Sequence, residues 1–272
     1  MEHVIVTGGS SGIGLSIARL SAKEGHNVTI IARRTLMLKK ARKLLLSDQI
    51  TKGQEILALS ADVTNLRDIN DAIEMSVKKL GIPCRLFVSA GRVSPGHFQD
   101  IPLSDFRSDM DVNFFGAVHV VRAVLPSMVK RGSGSVTLIS SAAGLIGLWG
   151  YGAYSPTKFA LHGLAEVLKF EMHSKNISIS VAFPPDTDTP QLKKEKESRP
   201  TETDIVAASG GIWTAEEVAK AIVNGTEKGK FLITPGSAIY LLSRLRSLIN
   251  PLIFAWLNFL VKTKIEGSHG PK

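Results

Sequence analysis

One cysteine, Cys84, stands in 272 residues. No intramolecular disulfide is therefore available, and a reducing compartment is the simpler setting. Aromatic residues are also scarce, with only three tyrosines and three tryptophans to stack on bases. Acidic residues are outnumbered, 24 against 33 basic ones, a formal balance of +9. Such a balance suits a phosphate-bearing cofactor, an acidic membrane surface or a nucleic acid. The basic residues are scattered, so no nucleic-acid partner is expected. The front of the chain has no basic n-region or long apolar h-region, because Met1-Glu2-His3 runs straight into Val4-Ile5-Val6. There is no internal repeat, and no linker before about residue 235. What is present is ordinary for a packed domain: 44 % apolar and 21 % charged residues, which excludes a disordered, collagenous or coiled-coil chain. The length fits one large domain and is short for two.

Short β-rich runs alternate with helical stretches. Val4–Thr7, Asn27–Ala32, Glu55–Ala61, Arg85–Ser89, Ser135–Ser140 and Ile177–Phe183 read as strands, apolar on both faces as buried parallel strands are. Helical windows lie between them at about 13–24, 35–47, 66–80, 104–130 and 155–174, and Phe231–Thr234 offers a last strand. This alternation predicts an α/β fold, a doubly wound parallel sheet of Rossmann type, in a single domain over 1–235. Residues 186–214 break the pattern with Lys193-Lys194-Glu195-Lys196-Glu197-Ser198-Arg199 and then Gly210-Gly211. A long segment beyond the carboxyl end of a central strand is placed to cover a ligand, so a substrate lid is expected there; a solvated surface excursion is the plainer alternative.

Thr7-Gly8-Gly9-Ser10-Ser11-Gly12-Ile13-Gly14 falls where the first strand gives way to the first helix. Glycines there let the backbone approach a pyrophosphate, and the helix N-terminus offers unpaired N–H groups to its charge. Gly8, Ser10, Ser11, Gly12, Ile13 and Gly14 are the expected contacts. The second strand ends in Arg33 and Arg34, 19 and 20 residues beyond Gly14, where an NAD site would carry an acid. Guanidinium groups suit a 2′-phosphate, so NADPH is the expected cofactor, with Arg33 the more direct contact.

Tyr154 and Lys158 stand four residues apart at the opening of a helical stretch, and Ser141 closes a strand 13 residues before Tyr154. The spacing puts phenol and ammonium on one helix face. The ammonium is expected to draw the phenol pKa down from about 10, fitting the tyrosine for proton exchange with a carbonyl or alcohol oxygen that Ser141 orients. Tyr151 is the poorer candidate, since its i+4 residue is Ser155. No metal ligands are expected.

With these residues in place the chain resembles the short-chain dehydrogenase/reductase family over residues 1 to about 235, through the Thr7–Gly14 turn, Asp62-Val63, Ala90-Gly91, Asn113, Ser141, Tyr154 and Lys158. The resemblance implies Asp62 and Val63 near the adenine, Ala90 along the cofactor, and Lys158 on the nicotinamide ribose beside Tyr154. It also implies that Asn113 and the lysine hold a proton-relay water, and that Pro184 and Thr189 lie against the carboxamide and phosphate side. Two departures stand out. Ser89-Ala90-Gly91 replaces the usual Asn-Ala-Gly, from which local loosening is expected, and Pro184-Pro185 replaces Pro-Gly.

Within the family, Ala182-Phe183-Pro184-Pro185-Asp186-Thr187-Asp188-Thr189-Pro190 resembles the 3-ketodihydrosphingosine reductases, as do Gly8–Gly12 and Gly163-Leu164-Ala165-Glu166. The resemblance implies reduction of a sphingoid-base ketone by NADPH at the cytosolic face of the endoplasmic reticulum membrane, in a homo-oligomer built through the helices around 104–130 and 154–174. The competing expectations are a membrane-associated reductase of steroids or retinoids, and a non-catalytic NADPH-binding scaffold. Residues 236–272 agree with a lipid substrate: 11 of the 14 residues from Leu248 to Val261 are apolar. Fourteen are too few for a span of roughly 20, and Arg244 and Arg246 precede them. A segment lying in the membrane interface is expected, with Arg244, Arg246, Lys262 and Lys264 near headgroups. Many relatives carry an N-terminal anchor, so this chain is expected to be a short form or to use its C-terminal segment as the only anchor.

Overall fold

A computed structural model describes residues 1–207 and 211–268, with side chains described as far as Thr263. Gly210 of the expected lid and the Lys264 side chain lie outside the described residues.

The strands are β1 (His3–Thr7), β2 (Asn27–Ala32), β3 (Ile56–Ser60), β4 (Arg85–Val88), β5 (Gly134–Ile139) and β6 (Ile177–Ala182), followed by the two-residue β7 (Thr187–Asp188), β8 (Trp213–Thr214) and β9 (Leu232–Ile233). The helices are α1 (Gly12–Lys23), α2 (Thr35–Ser47), α3 (Leu66–Leu80), α4 (Leu103–Met110), α5 (Gly116–Arg131), α6 (Ser155–His173), α7 (Pro190–Lys196), α8 (Thr201–Ala207), α9 (Ala215–Glu227) and α10 (Ser237–Ser268). Seven strands form one parallel sheet in the order β3-β2-β1-β4-β5-β6-β9, and β7 pairs with β8 separately.

Two-residue periodicity divides the sheet between two helical layers. Ile5, Ile31, Leu86, Val136 and Leu138 face α3, α5 and α6, where Ile69, Val120, Val124 and Leu161 meet them. Val4, Val6, Val28, Ile30 and Phe87 face α1, α2 and α9, against Ile17, Leu38, Leu45 and Ile222. Each such side chain contributes about 1.5–3 kcal/mol by leaving water. Helix ends are fixed locally: Asn65 accepts from Arg67 N and Asp68 N at the start of α3, and Thr214 with Glu217 makes a reciprocal capping box on α9.

The single helix expected over 104–130 is α4 and α5 joined by a π turn at Asp111–Phe115. That turn adds a residue to the helical repeat and carries Asn113, which is buried. The tail is a helix of 32 residues with Pro251 inside it. Ser237–Thr263 is long and apolar enough to cross a membrane by length and composition, a longer stretch than the 14-residue run read from the sequence. Leu103–Arg131 passes the same test, but 44 % of its apolar window is buried within the fold.

His3 is buried at the start of β1, where its Nδ1 donates to Gly81 O at 2.7 Å and Nε2 accepts from the Thr29 hydroxyl at 2.9 Å. Both bonds fit the neutral ring, and burial lowers the pKa from 6.5 to about 4. Unfolded His3 takes up a proton below about 6.5 and the folded ring only below about 4, so its stabilisation is complete above 6.5 and drains as pH falls toward 4. Between pH 7.5 and 5 this amounts to about 2 kcal/mol. A His3→Asn variant is expected to lose that part of the pH dependence, read from urea midpoints of both proteins at the two pH values.

Candidate active site

Strand order reverses between β1 and β4, so connections leaving their carboxyl ends diverge and leave a crevice. The cavity there has a volume of about 270 Å³ and takes its walls from the glycine turn, the ends of β2, β4, β5 and β6, and α7. Gly8 has φ +66°, and a Cβ on it would meet Ser89 O at 2.7 Å. Gly12 has φ +56° and opens α1, where a Cβ would sit 3.0 Å from Thr189 Cγ2. The turn thus passes between the end of β4 and Thr189 with no room for side chains. No side chain caps α1, so its first N–H groups are left for a ligand. The Thr7 hydroxyl accepts from Ser89 N at 3.2 Å and Ala90 N at 3.4 Å. Thr7 therefore ties the end of β4 to the turn despite the departure from Asn-Ala-Gly.

Gly8, Ser10, Ser11, Gly12, Ile13, Gly14, Arg33, Val63, Ala90, Ser141, Tyr154, Lys158, Pro184 and Thr189 all line this cavity. Asp62 and Asn113 do not. The Asp62 carboxylate accepts from Thr64 N and Oγ1, closing its own turn, and lies 3.6 Å from the Arg33 guanidinium. Arg33 is 62 % exposed at the cavity's outer end, beside Arg34. Uncapped N–H groups at one point and two guanidinium groups at the next form a cradle that fits a dinucleotide phosphate chain.

Ser141, Tyr154 and Lys158 meet at the other end. Tyr154 precedes the first turn of α6, and Lys158 follows one turn later with Nζ 5.4 Å from the phenol ring centroid. Lys158 Nζ donates to Ile139 O at 3.1 Å, and its carbonyl accepts from Ser140 Oγ, so α6 is pinned to the end of β5. Ser141 accepts from Ala143 N at 3.2 Å and hydrogen-bonds the Tyr154 phenol. The expected depression of the Tyr154 pKa is not found. Burial pushes the phenol up, the Glu195 charge adds to this, and the Ser141 bond opposes it only in part. Burial also brings Lys158 down to about 8, with Asp109 opposing. Desolvation outweighs the tyrosine–lysine attraction here, because both groups are taken from water. Asn113 is placed to hold this frame: Oδ1 accepts from Arg92 N at 2.8 Å, and Nδ2 donates to Arg92 O and Thr157 Oγ1.

Sequence reasoning missed a buried network around Arg199. Tyr151 donates its hydroxyl proton to Glu195 Oε1 and accepts from Arg199 Nη2. Arg199 also donates from Nε to Glu195 at 2.8 Å and from Nη1 to Asp186 at 2.8 Å, and its side chain is 1 % exposed. Tyr151 and Tyr154 pack edge to face with centroids 5.4 Å apart. Within the 193–199 run Glu195 and Arg199 are buried and fasten α7 and the following turn to Tyr151, while the residues between and before them are exposed. The readable signal was the Glu195–Arg199 i,i+4 spacing, which marks a helical pair.

Parallel order, crevice, glycine cradle and a serine–tyrosine–lysine constellation together define a dinucleotide-dependent oxidoreductase. The short chain dehydrogenase family profile matches residues 2–200. The chain belongs to the short-chain dehydrogenase/reductase family, whose members use a nicotinamide cofactor. It is 40 % identical over 251 residues to a 3-dehydrosphinganine reductase of Danio rerio, covering 92 % of this chain and 76 % of that one. It is 41 % identical over 244 residues to a 3-ketodihydrosphingosine reductase of Bos taurus, covering 89 % and 74 %. Among solved structures, a short-chain type dehydrogenase/reductase from Mycobacterium ulcerans superimposes with a TM-score of 0.78 at 23 % identity, over 86 % of this chain and 87 % of that one. Levodione reductase does so with a TM-score of 0.77 at 22 % identity, over 86 % and 94 %. These two likenesses concern the fold.

Removing one member of a buried charge network leaves the others uncompensated, at a cost of about 3–5 kcal/mol. Arg199→Leu is therefore expected to release residues 186–207 from the body while the sheet stays folded. Hydrogen exchange would show protection lost there and kept in β1, β4 and β5; unchanged protection at 186–207 would sink the idea.

Proposed function

We propose that this protein reduces the C3 ketone of 3-ketodihydrosphingosine to sphinganine with NADPH. The observation that carries the reading is the meeting of Ser141, Tyr154 and Lys158 at a cavity continuous with the glycine cradle, in a chain about 40 % identical to proteins named for that reduction. When bound, the reduced nicotinamide supplies the hydride for the carbonyl carbon. Ser141 donates to the carbonyl oxygen and polarises it. Tyr154, kept protonated by burial, gives its phenolic proton to that oxygen as negative charge develops. Lys158, when protonated, stabilises the phenolate left behind and can also hold the ribose. Asn113 acts as a positioning group, holding Arg92 and Thr157 around the lysine.

NADPH is favoured over NADH by Arg33 and Arg34 at the cradle's outer end, with Asp62 drawn to Arg33 rather than free to accept from a ribose hydroxyl. Membrane association is supported by α10. Leu241, Leu245, Leu248, Leu252, Trp256 and Phe259 recur every three or four residues and are all exposed, an unbroken apolar stripe. Arg246 donates to Leu145 O at 3.2 Å and lies over the Phe159 ring, so the first turns of the helix are docked on the body, while its most apolar stretch is almost wholly unburied. That arrangement suits a helix lying in the interface of the endoplasmic reticulum membrane with the catalytic body on the cytosolic side. It removes Arg246 from the cations expected near headgroups. Self-association is supported by Phe115, Val167 and Phe170, exposed on the π turn and on α6.

The test is NADPH oxidation by the purified protein in detergent with 3-ketodihydrosphingosine, beside NADH and a panel of steroid ketones. Sphinganine formation with NADPH is the expected result. Turnover of steroid ketones alone would overturn the substrate, and cofactor binding without any turnover would indicate a scaffold. Tyr154→Phe is expected to lower kcat by about 10²–10⁴-fold while cofactor still binds. Arg33→Ala is expected to raise the KM for NADPH about 10-fold or more and leave that for NADH nearly unchanged, since the charge-assisted bond goes only to the 2′-phosphate. Equal effects on both cofactors would refute that contact.

A further inference from the structure

Glu195 is 8 % exposed, yet only one of its carboxylate oxygens is engaged. Oε1 takes the bonds from Tyr151 and from Nε and Nη2 of Arg199. Oε2 has no hydrogen-bond partner among the described residues, and it is not sealed either: the fully enclosed, unpartnered side-chain atoms among them are Ser155 Oγ and Asn250 Oδ1. Glu195 is among the residues that line the reaction cavity. A carboxylate taken from water with half its acceptor capacity unused is costly unless a donor arrives from the cavity.

The surrounding charge fixes what kind of donor fits. Arg199 is a single guanidinium facing three carboxylates, Glu195, Asp186 and Asp204. Two of those acids, Glu195 and Asp186, line the cavity. Arg33 and Arg34 line its opposite end. Glu195 and Asp186 thus put two carboxylates on the cavity wall, with Arg199 behind them and Lys158 beside the phenol, while Arg33 and Arg34 supply the cations where a cofactor phosphate would lie. Tyr151 bonds Glu195 and packs on Tyr154 with centroids 5.4 Å apart, so one aromatic ring links the carboxylate to Tyr154. The Glu195 charge is felt at that phenol, which it helps keep protonated.

We infer that Glu195 Oε2 is the recognition point for an ammonium group on the carbon next to the reacting carbonyl, so that this residue selects α-amino ketones over plain ketones. The inference rests on the aminoketone reading given under the proposed function. It assigns a specificity-determining role to a residue outside the serine–tyrosine–lysine constellation. Arg199 and Tyr151 are positioning residues that hold Oε1 and so aim Oε2. Asp186 adds negative charge without direct contact, because both its oxygens are taken by Arg199.

The experiment measures kcat/KM with NADPH for 3-ketodihydrosphingosine and for the same chain lacking the 2-amino group, in the full-length protein and in Glu195→Gln. Glutamine keeps an acceptor for Tyr151 and Arg199 but removes the charge. The amine-to-deamino ratio of kcat/KM is expected to fall about 10–100-fold in the variant, mostly through KM for the amine. Glu195→Asp, which keeps the charge, is expected to retain most of the ratio even if its overall rate is lower, and it carries the test if Glu195→Gln does not fold. An equal loss on both substrates in Glu195→Gln, or loss of the ratio in Glu195→Asp as well, would show a purely structural role and overturn the inference alone. A wild-type protein that reduces the deamino ketone but not the amine would overturn both the inference and the aminoketone reading.

Discussion

Every strand of the main sheet runs the same way, and the rest of the molecule follows from that restriction. Parallel strands cannot be joined by tight turns, so each must return through a helix, and helices on both faces bury both sides of the sheet. The same direction gathers all carboxyl ends along one edge. Where the order reverses between β1 and β4, loops part and leave room for a ligand. Residues far apart in the chain meet there: the turn at Gly8–Gly14, Ala90 after β4, Ser141 after β5 and Pro184 after β6.

Burial then decides the chemistry of the groups brought together. A surface tyrosine beside a lysine would be drawn toward phenolate. Here both are enclosed and the solvation each loses exceeds what they gain from one another, so the phenol stays protonated and the ammonium is pulled down to about 8. In the proposed reduction this is the useful state, since Tyr154 would begin as the proton donor. Attraction between the phenolate and Lys158 grows only as the proton leaves. The lysine therefore favours the later part of the reaction more than the resting protein.

Much of this was legible in the chain. Strand and helix alternation carried the fold, because apolar runs of five or six residues between amphipathic windows have few other solutions. The glycine turn, Arg33 and the Tyr154–Lys158 spacing were readable because each needs a short local pattern. What stayed hidden depends on distance or on solvation. Asn113 lies on a π turn that no period in the sequence announces, and its bonds to Arg92 and Thr157 span 21 and 44 residues. Asp62 looked like a cofactor contact, yet its carboxylate is drawn to its own turn and to Arg33. Tyr151 was passed over for lacking a lysine four residues on, although its partners lie 44 and 48 residues away. The direction of the Tyr154 shift was misread for the same reason: spacing reports neighbours on a helix and is silent on how much water they lose.

The Arg199 network also explains how an apolar tail and a polar cavity belong to one molecule. Arg199 sits just before α8, bonded to Tyr151 on one side and to Asp186 on the other. Within α8, Thr203 donates to Trp149 O at 2.8 Å, and the helix packs against α10. The segment over the cavity is therefore held from inside by charge and from outside by the helix that bears the apolar stripe. In the proposed role that helix would rest in lipid. A long-chain ketone leaving the membrane would then meet the lid segment, with Trp149 half exposed beside it, before reaching Tyr154. A desolvated ion network suits that boundary. Its bonds are strengthened by the low dielectric around them, so residues 186–207 are held firmly as long as water stays out.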